Sequence, residues 1–171
     1  MKKILNQEDI RRTLKRISHE ILERNNGAHN LILMPIIAGG YEMSLEIQKN
    51  LQDIEGICVP IYDLDITMYR DDITKKHHAP SKKNNINLQD KTIVLVDDVI
   101  YTGRSVRAAM DAITDIGRPA CIQLAVLIDR GHRELPVRAD FIGKNLPTSK
   151  EENVQVLINI PDNENCVLIT R

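Results

Sequence analysis

Three mainly apolar runs constrain the fold of this chain most. They cover residues 31–37, 91–96 and 120–128, and a strand that is apolar at successive positions is typical of a parallel sheet covered on both faces. Helical patterns at about 41–51 and 102–116 separate these runs. Strands that alternate with helices predict an α/β domain with a mostly parallel central sheet flanked by helices.

The remaining segments predict smaller elements around this sheet. Residues 6–26 form an amphipathic helical pattern that ends at Asn25-Asn26-Gly27. A further strand is expected at 57–62, and it either ends there or continues to residue 68. Three short strands are expected late in the chain, near 137–142, 154–158 and 166–169.

Length and composition exclude several classes of protein. The 171 residues fit one domain, and no linker or repeat marks a boundary within 1–171. The longest uninterrupted apolar run, 31–38, is far shorter than the roughly 20 residues of a membrane span. Residues 1–20 are charged and lack a secretory apolar region, so we expect the chain to be cytoplasmic. The three cysteines are far apart, which argues against a disulfide scaffold and a structural zinc site.

Charge and aromatic content limit the ways in which the chain can bind nucleic acid. The formal net charge is −1, so any such binding needs a local basic patch. With Tyr 4, Phe 1 and Trp 0, the chain has few rings on which the bases of a single strand could stack. A structured RNA recognised by its shape and its phosphates fits this composition better.

Residues 71–90 are expected to form a flexible lid loop. This stretch is long and strongly polar, and long loops in compact domains are often functional lids. It contains the pair His77-His78, but no cysteine or further histidine cluster accompanies it. We therefore expect no protein metal ligands.

The most informative stretch is the thirteen-residue segment 93–105. Its apolar strand leads to Asp97 and Asp98, at the edge of an α/β sheet where ligands bind. Ionised carboxylates accept hydrogen bonds from the vicinal hydroxyls of a ribose. The loop Thr102-Gly103-Arg104-Ser105 then opens a helix, and its N–H groups, its hydroxyls and the helix dipole suit a phosphate monoester. An isolated fragment of this kind is more often a capped helix after a core strand, but the whole pattern favours a phosphate site.

Several segments together resemble one known family. Residues 93–105 look like the phosphoribosyl-pyrophosphate (PRPP) motif of type I phosphoribosyltransferases. The resemblance is closest to the bacterial pyrimidine operon attenuation proteins, which are regulators and also uracil phosphoribosyltransferases. The further segments that carry this resemblance are Arg11-Arg12 with Arg16-x-x-His19-Glu20, and residues 65–72, 129–136 and 138–149.

The resemblance implies a fold and two functions. The fold would be that of type I phosphoribosyltransferases, with a small hood from segments near 141–158. When uridine nucleotides (UMP or UTP) are plentiful, such proteins bind a stem-loop in the leader mRNA of the pyrimidine operon and promote termination. Many also convert uracil and PRPP into UMP and pyrophosphate with Mg²⁺, which the phosphates of the ligand hold. The family forms homodimers or larger homo-oligomers.

The resemblance also implies roles for individual residues. Asp97, Asp98 and Arg130 would form the catalytic set, and Arg70, Lys75 and Lys76 would reach the pyrophosphate from the lid. The expected PRPP- and UMP-binding residues are Asp97, Asp98, Tyr101, Thr102, Gly103, Arg104, Ser105 and Asp129. The expected RNA-binding residues are Arg12, Lys15, Arg16, His19, Arg24, His132, Arg138 and Lys144. Without the resemblance, such a basic helix face is usually only solvated surface.

One departure from the family pattern bears on catalysis. The first loop of the family reads Thr-Arg-Gly and holds pyrophosphate, whereas this chain has Ala38-Gly39-Gly40. Loss of one such contact lowers the rate by about a hundredfold, so we expect weak or absent catalysis. UMP does not need this loop. Two alternatives stay open at this point: a plain salvage phosphoribosyltransferase without RNA regulation, and a related regulator that senses another metabolite.

Overall fold

The computed structural model describes residues 1–36, 39–71, 85–161 and 164–171. Its elements alternate between strands and helices in the first two thirds of the chain and are mainly strands thereafter. In chain order they are β1 (Lys2–Leu5), α1 (Gln7–Asn25), β2 (Leu31–Pro35), α2 (Gly40–Glu55), a 3-10 turn (Thr67–Tyr69), β3 (Thr92–Ile100), α3 (Arg104–Ile116), β4 (Cys121–Asp129), β5 (Phe141–Asn145), β6 (Asn153–Leu157) and β7 (Cys166–Thr170).

Four strands form the central sheet in the order β2-β3-β4-β5, and every neighbouring pair is parallel. The expected α/β architecture with a mostly parallel sheet is confirmed. A second, antiparallel sheet has the order β1-β7-β6. Strand β1 was not expected, because four residues with two lysines give too short an apolar pattern to be recognised.

The two faces of the central sheet belong to two apolar clusters. Val94 and Val96 of β3 pack into the cluster that includes α1, α2 and residues of the small sheet. Ile93 and Leu95 face the other way, into the cluster that includes α3. Successive side chains of a strand point to opposite faces, so both faces require apolar residues here. This explains why the strand is apolar at successive positions.

Helix α1 has the bounds expected from the sequence and lies along β5. Asn6 caps its N-terminus in a reciprocal pair, in which Asp9 N–H donates to Asn6 Oδ1 at 2.9 Å and Asn6 N–H donates to Asp9 Oδ2 at 3.0 Å. The helix approaches β5 closely at Gly143. A Cβ atom at that glycine would lie 2.7 Å from Thr13 Cγ2 and 2.4 Å from Leu127 O.

The prediction of a strand at 57–62 is wrong. This segment forms only isolated bridges beside β2, at Leu33 with Ile61 and at Ile36 with Leu64. Pro60 has no N–H to donate to a ladder. The continuation toward residue 68 instead becomes the 3-10 turn, where Thr67 N–H donates to Asp65 Oδ1 at 2.9 Å.

The strands expected near 154–158 and 166–169 are present as β6 and β7, whereas the first late strand differs from expectation. The strand expected at 137–142 begins only at Phe141 and belongs to the parallel sheet, so of the expected hood segments only 153–157 lies in the small sheet. The segment before Phe141 is held to β4 by Asp140 instead of by a strand ladder. The N–H of Asp140 donates to Leu124 O, and its Oδ2 accepts from Leu124 N–H. Most of the expected lid, residues 72–84, lies outside the described residues.

The assignment of 1–171 to one domain stays a prediction, and it is supported by an apolar cluster that contains residues of both sheets. Among the helices of the described residues, none is long and apolar enough to cross a membrane.

Candidate functional site

Two adjacent carboxylates lie inside β3, near the carboxyl edge of the central sheet. The sequence placed Asp97 and Asp98 after the strand, but β3 continues to Ile100, because Val99 and Ile100 pair with β4 and extend the ladder. The side chain of Asp97 is almost buried, with 9% of the residue exposed. Ligands of open α/β sheets bind at this edge.

The electrostatics of this acid pair are unfavourable for the protein alone. Asp97 Oδ1 accepts from the N–H of Asp98 at 3.0 Å, and Asp98 Oδ1 accepts from the N–H of Val99 at 2.7 Å. Burial raises the pKa of Asp97 well above its usual range, and the charge of Asp98 raises it further. Burial also raises the pKa of Asp98. Carboxylates perturbed in this way are frequent at functional sites, since hydroxyl donors or a cation would stabilise their charged form.

The loop after the acids matches the expected phosphate site. Gly103 precedes the first residue of α3 and has a φ of +93°, which side chains rarely adopt. A Cβ atom there would lie 2.2 Å from Val137 Cγ2. The carbonyl of Thr102 accepts from the N–H groups of Glu134 and Leu135 at 3.0 and 3.1 Å. The loop is therefore braced from behind, while the N-terminus of α3 offers N–H groups and a positive dipole end.

Arg104 lies in the phosphate loop, but its side chain contacts carboxylates. Its Nη1 lies 2.9 Å from Asp71 Oδ2, and its Nη2 lies 2.9 Å from Glu134 Oε2. These contacts raise the pKa of Arg104, with the hydrogen bond to Glu134 as the largest cause. Arg107 also contacts Asp71, at 3.0 Å. The sequence reasoning did not single out Asp71 or Glu134 as partners, since 33 and 30 residues separate them from Arg104.

Asp129 and Arg130 follow β4 at the same edge of the sheet. Asp129 accepts from Gly131 N–H at 3.0 Å and from Arg133 at 2.6 Å. Arg130 is 7% exposed, and its guanidinium lies 4.2 Å from the centre of the Tyr101 ring. Both residues are thus fixed by neighbours within the site.

The guanidinium of Arg130 also braces the segment that follows β5. It donates to Thr148 Oγ1 at 3.2 Å and to the carbonyls of Ser149 and Glu152 at 3.1 and 2.7 Å. These contacts make Arg130 a positioning residue for this segment. The catalytic role expected for it stays a prediction.

The atypical loop lies directly against the acid pair. A Cβ atom at Gly39 would lie 2.3 Å from Asp98 Cγ, and one at Gly40 would lie 2.0 Å from Val96 O. The backbone of the chain therefore approaches β3 more closely here than a side chain would allow. Three expected site residues, Ala38, Lys75 and Lys76, lie outside the described residues, and Arg70 lies just before Asp71.

The expected RNA-binding residues divide into two places. One place is an exposed basic face on α1, β5 and the segment just before β5, where Arg16 donates to the carbonyls of Ile142 and Gly143 at 3.2 and 2.7 Å. We call this surface the basic face and define it by Arg12, Lys15, Arg16, His19, Arg24, Arg138 and Lys144, all exposed. The other place holds His132, whose ring bonds the carbonyl of Thr148 and lies 6.2 Å from the Tyr101 ring. His132 thus lies beside Tyr101, in the candidate nucleotide site.

The chemistry of the donors leaves a limited role for protein metal ligands. The described residues contain no group of three or more His, Cys, Asp or Glu side chains that could hold a metal ion. The acid pair offers carboxylate oxygens, which Mg²⁺ prefers. These residues fit a magnesium ion that is held mainly by the phosphates of a ligand.

Comparison with known proteins identifies the family. The model of the phosphoribosyl transferase domain matches residues 1–159. The "Bifunctional protein PyrR" of Geobacter sulfurreducens is 53% identical over 172 residues, covering 98% of this chain and 97% of that protein. The protein of the same name from Clostridioides difficile is 53% identical, covering 97% of this chain and 96% of its own. The chain belongs to the PyrR family of phosphoribosyltransferases.

Solved structures agree with this fold. The hypoxanthine phosphoribosyltransferase of Trypanosoma cruzi has a TM-score of 0.75 at 18% identity, covering 100% of this chain and 97% of that chain. A hypoxanthine-guanine phosphoribosyltransferase from Bacillus anthracis has a TM-score of 0.68 at 15% identity, covering 86% of this chain and 83% of that chain. Similarity at this low identity concerns the fold alone. The expected type I phosphoribosyltransferase fold is confirmed.

Membership of the PyrR family confirms the resemblance to the pyrimidine operon attenuation proteins. With it, the expected pair of functions, regulation of pyrimidine transcription and uracil phosphoribosyl transfer, is confirmed for this chain at the level of the family. The roles expected for single residues stay predictions.

Proposed function

We propose that the chain attenuates transcription of the pyrimidine biosynthesis operon by binding its leader RNA in response to uridine nucleotides, and that it also forms UMP from uracil and PRPP. The observation that carries this proposal is that one chain of the PyrR family has both a nucleotide site and a basic face. We further propose, from the family, that the protein is cytoplasmic and forms a homodimer or a larger homo-oligomer.

The nucleotide site binds UMP through two groups of residues. Asp97 and Asp98 accept hydrogen bonds from the ribose hydroxyls, which compensates the charge that burial destabilises. The N–H groups around Gly103 and at the start of α3, with the hydroxyls of Thr102 and Ser105, bind the 5′-phosphate. Serine at 105 supplies the hydroxyl that threonine has in the family pattern.

Catalysis at this site consists mainly of holding the reactants in place. A bond forms between a uracil nitrogen and C1′ of the ribose while the bond from C1′ to a pyrophosphate oxygen breaks, and the proton of that nitrogen is released to solvent. Asp97 and Asp98 hold the ribose. Asp129 ends β4 at the same edge of the sheet, and Arg130 fixes the segment 148–152. Mg²⁺ bound with PRPP neutralises charge on the pyrophosphate, and the carboxylates of the acid pair are the protein groups that would face it.

The rate of this reaction is expected to be low. Gly39 has no guanidinium to contact the leaving pyrophosphate, and its backbone lies against Asp98. UMP does not use this contact, so nucleotide-dependent regulation does not require a fast enzyme. Assay of UMP formation from uracil and PRPP with Mg²⁺ measures this rate directly.

The basic face supplies the contact with RNA. Its positive side chains lie on α1, on β5 and, for Arg138, in the segment just before β5. Arg16 joins α1 to β5 through the carbonyls of Ile142 and Gly143. A helix and a neighbouring strand edge present charges over an extended surface, which suits the phosphates of a folded hairpin. This explains how a chain with a net charge of −1 binds RNA.

Affinity for the leader hairpin, measured with and without UMP, tests the proposal. We expect UMP to tighten binding, and we expect Lys15→Ala and Lys144→Ala each to weaken it and to lower the slope against log salt by about 1. Lys49→Ala on α2 is the matched control, because it removes an exposed lysine outside the basic face. Binding that is weak and independent of UMP, or an equal effect of all three variants, would instead indicate a plain salvage enzyme.

A further inference from the structure

The side chain of Arg104, in the phosphate loop, contacts two carboxylates. We propose that Asp71 and Glu134, which we call the acidic clamp, determine how tightly the loop binds the phosphate of a nucleotide. They neutralise the charge of Arg104 and thereby hold the affinity for UMP below what the loop alone would give. This inference rests on the proposed function, since it takes UMP as the ligand.

The contacts of the acidic clamp come from two sides. Asp71, the first residue of the expected lid, accepts from Nη1 of both Arg104 and Arg107, at 2.9 and 3.0 Å. Glu134, in the segment after β4, accepts from Arg104 Nε at 3.0 Å and lies 2.9 Å from its Nη2. The Arg104 side chain therefore points between two carboxylates, while its backbone N–H donates within the loop to Thr102 Oγ1.

The charge around Arg104 depends on the acidic clamp. Its guanidinium faces the two carboxylates Asp71 and Glu134, while Arg107 contacts Asp71 and, at 3.8 Å, Asp111. Removal of either clamp carboxylate makes the net charge beside the loop more positive by one unit. A unit charge about 6 Å from a phosphate in water changes its affinity by about threefold per phosphate charge. Salt reduces this effect, because the groups are partly exposed.

The proposal predicts an effect on phosphate and not on the nucleoside. Uridine has the same base and ribose as UMP but no phosphate, so the acidic clamp does not act on it. If the two carboxylates instead served to orient Arg104, the change in UMP affinity would have the opposite sign. If the carboxylates held Arg104 in a productive position, their removal would weaken the binding of UMP.

Isothermal titration calorimetry with UMP and with uridine distinguishes these cases. We expect Asp71→Asn and Glu134→Gln each to lower the Kd of UMP by about threefold, to leave that of uridine unchanged, and to lose the difference at high salt. Asp111→Asn is the matched control. It removes the same charge from α3, at a residue that contacts Arg107 at 3.8 Å and lies about 10 Å along the helix from Arg104. Thermal unfolding checks that each variant is folded.

The outcomes separate this inference from the proposed function. If the wild-type chain binds UMP but the two clamp variants bind it equally or more weakly, the inference is wrong and the proposed function stands. An equal gain for uridine, or an equal gain in Asp111→Asn, would also overturn it. If the wild-type chain does not bind UMP, the proposed function fails, and the inference fails with it.

Discussion

The phosphate loop depends on glycine at position 103 for two separate reasons, which mutation can measure. Its φ of +93° is unfavourable for any residue with a Cβ atom, and a Cβ atom would lie 2.2 Å from Val137 Cγ2. We expect Gly103→Ala to destabilise the chain and to weaken the binding of UMP, because the backbone N–H groups of the loop must move.

The structure allows a rough magnitude for each effect. Placing alanine in the left-handed region costs about 1–2 kcal/mol. The overlap with Val137, far inside the normal contact distance of about 3.5–4.0 Å, costs about 1–3 kcal/mol when neighbours shift to relieve it. The sum is about 2–5 kcal/mol. This is a large part of a typical total stability of about 5–15 kcal/mol.

Two further variants separate the contributions. At Gly56, φ is +71° and nothing lies within 4 Å of the added Cβ atom, so Gly56→Ala should cost only the backbone part. Val137→Ala removes the methyl groups with which the new Cβ atom collides. The double variant Gly103→Ala with Val137→Ala should therefore be about 1–3 kcal/mol more stable than the sum of its single changes indicates.

Urea unfolding of these variants measures the free energies, and titration with UMP measures the functional effect. If the effects of Gly103→Ala and Val137→Ala add within about 0.5 kcal/mol, the collision with Val137 is not the cause. If Gly103→Ala is no more destabilising than Gly56→Ala, the close packing behind the loop is refuted as well.

Two other groups give predictions that depend on pH. Burial raises the pKa of Asp97 in the folded chain, so the wild type loses stability as pH rises from the unfolded value of about 3.9 through the raised pKa. Above that pH range, Asp97→Asn should raise Tm by about 2–4 °C for each kcal/mol of destabilisation that it removes, and it should lose UMP binding. A Tm difference between variant and wild type that does not change with pH would contradict this. The hydrogen bond to Asp115 is the largest cause that raises the pKa of Tyr69 to about 12, so one tyrosine should ionise last in an absorbance titration. Asp115→Asn should lower this pKa, because it removes the carboxylate charge beside the phenol, while burial and Asp111 still act on it.

The central sheet could be predicted from the sequence because its strands are buried on both faces. The apolar runs at 31–37, 91–96 and 120–128 became β2, β3 and β4, with small shifts at the ends of β2 and β4 and an extension of β3 to Ile100. Their hydrophobic side chains are required by packing on two sides, so the pattern is strong and local. The bounds of α1 were equally clear, since Asn6 and Asn26 cap it.

The edges of the fold could not be predicted in the same way. Strand β5 has a buried Phe141 but exposed Lys144 and Asn145, a pattern that does not distinguish an edge strand of the main sheet from a hood strand. The segment 57–62 has enough apolar residues for a strand, yet it makes only single bridges. In both cases the pairing partner decides the structure, and the partner is distant in sequence.

The candidate site shows the same division between local and distant information. The motif at 93–105 predicted two acids near the carboxyl edge of the sheet and a loop that opens a helix, and the structure has both, although β3 continues past the acids to Ile100. These features lie in consecutive residues, and their binding roles stay predictions. The motif did not predict that Arg104 contacts Asp71 and Glu134, or that Arg130 holds the carbonyl of Glu152. Long side chains choose partners that the fold brings near, so a motif fixes their position but not their contacts.

The arginines of the basic face are compatible with RNA binding although acids surround them. Arg12 contacts Glu8 at 2.9 Å and Arg16 contacts Glu20 at 2.7 Å, both one turn apart on α1. Exposed pairs of this kind contribute about 0–1 kcal/mol, so RNA phosphates can replace the carboxylates with little loss. The same pairs neutralise the face when RNA is absent, which weakens its attraction for nucleic acids in general. Such a face favours an RNA whose phosphates contact several of the basic side chains at the same time over an RNA that contacts only one of them.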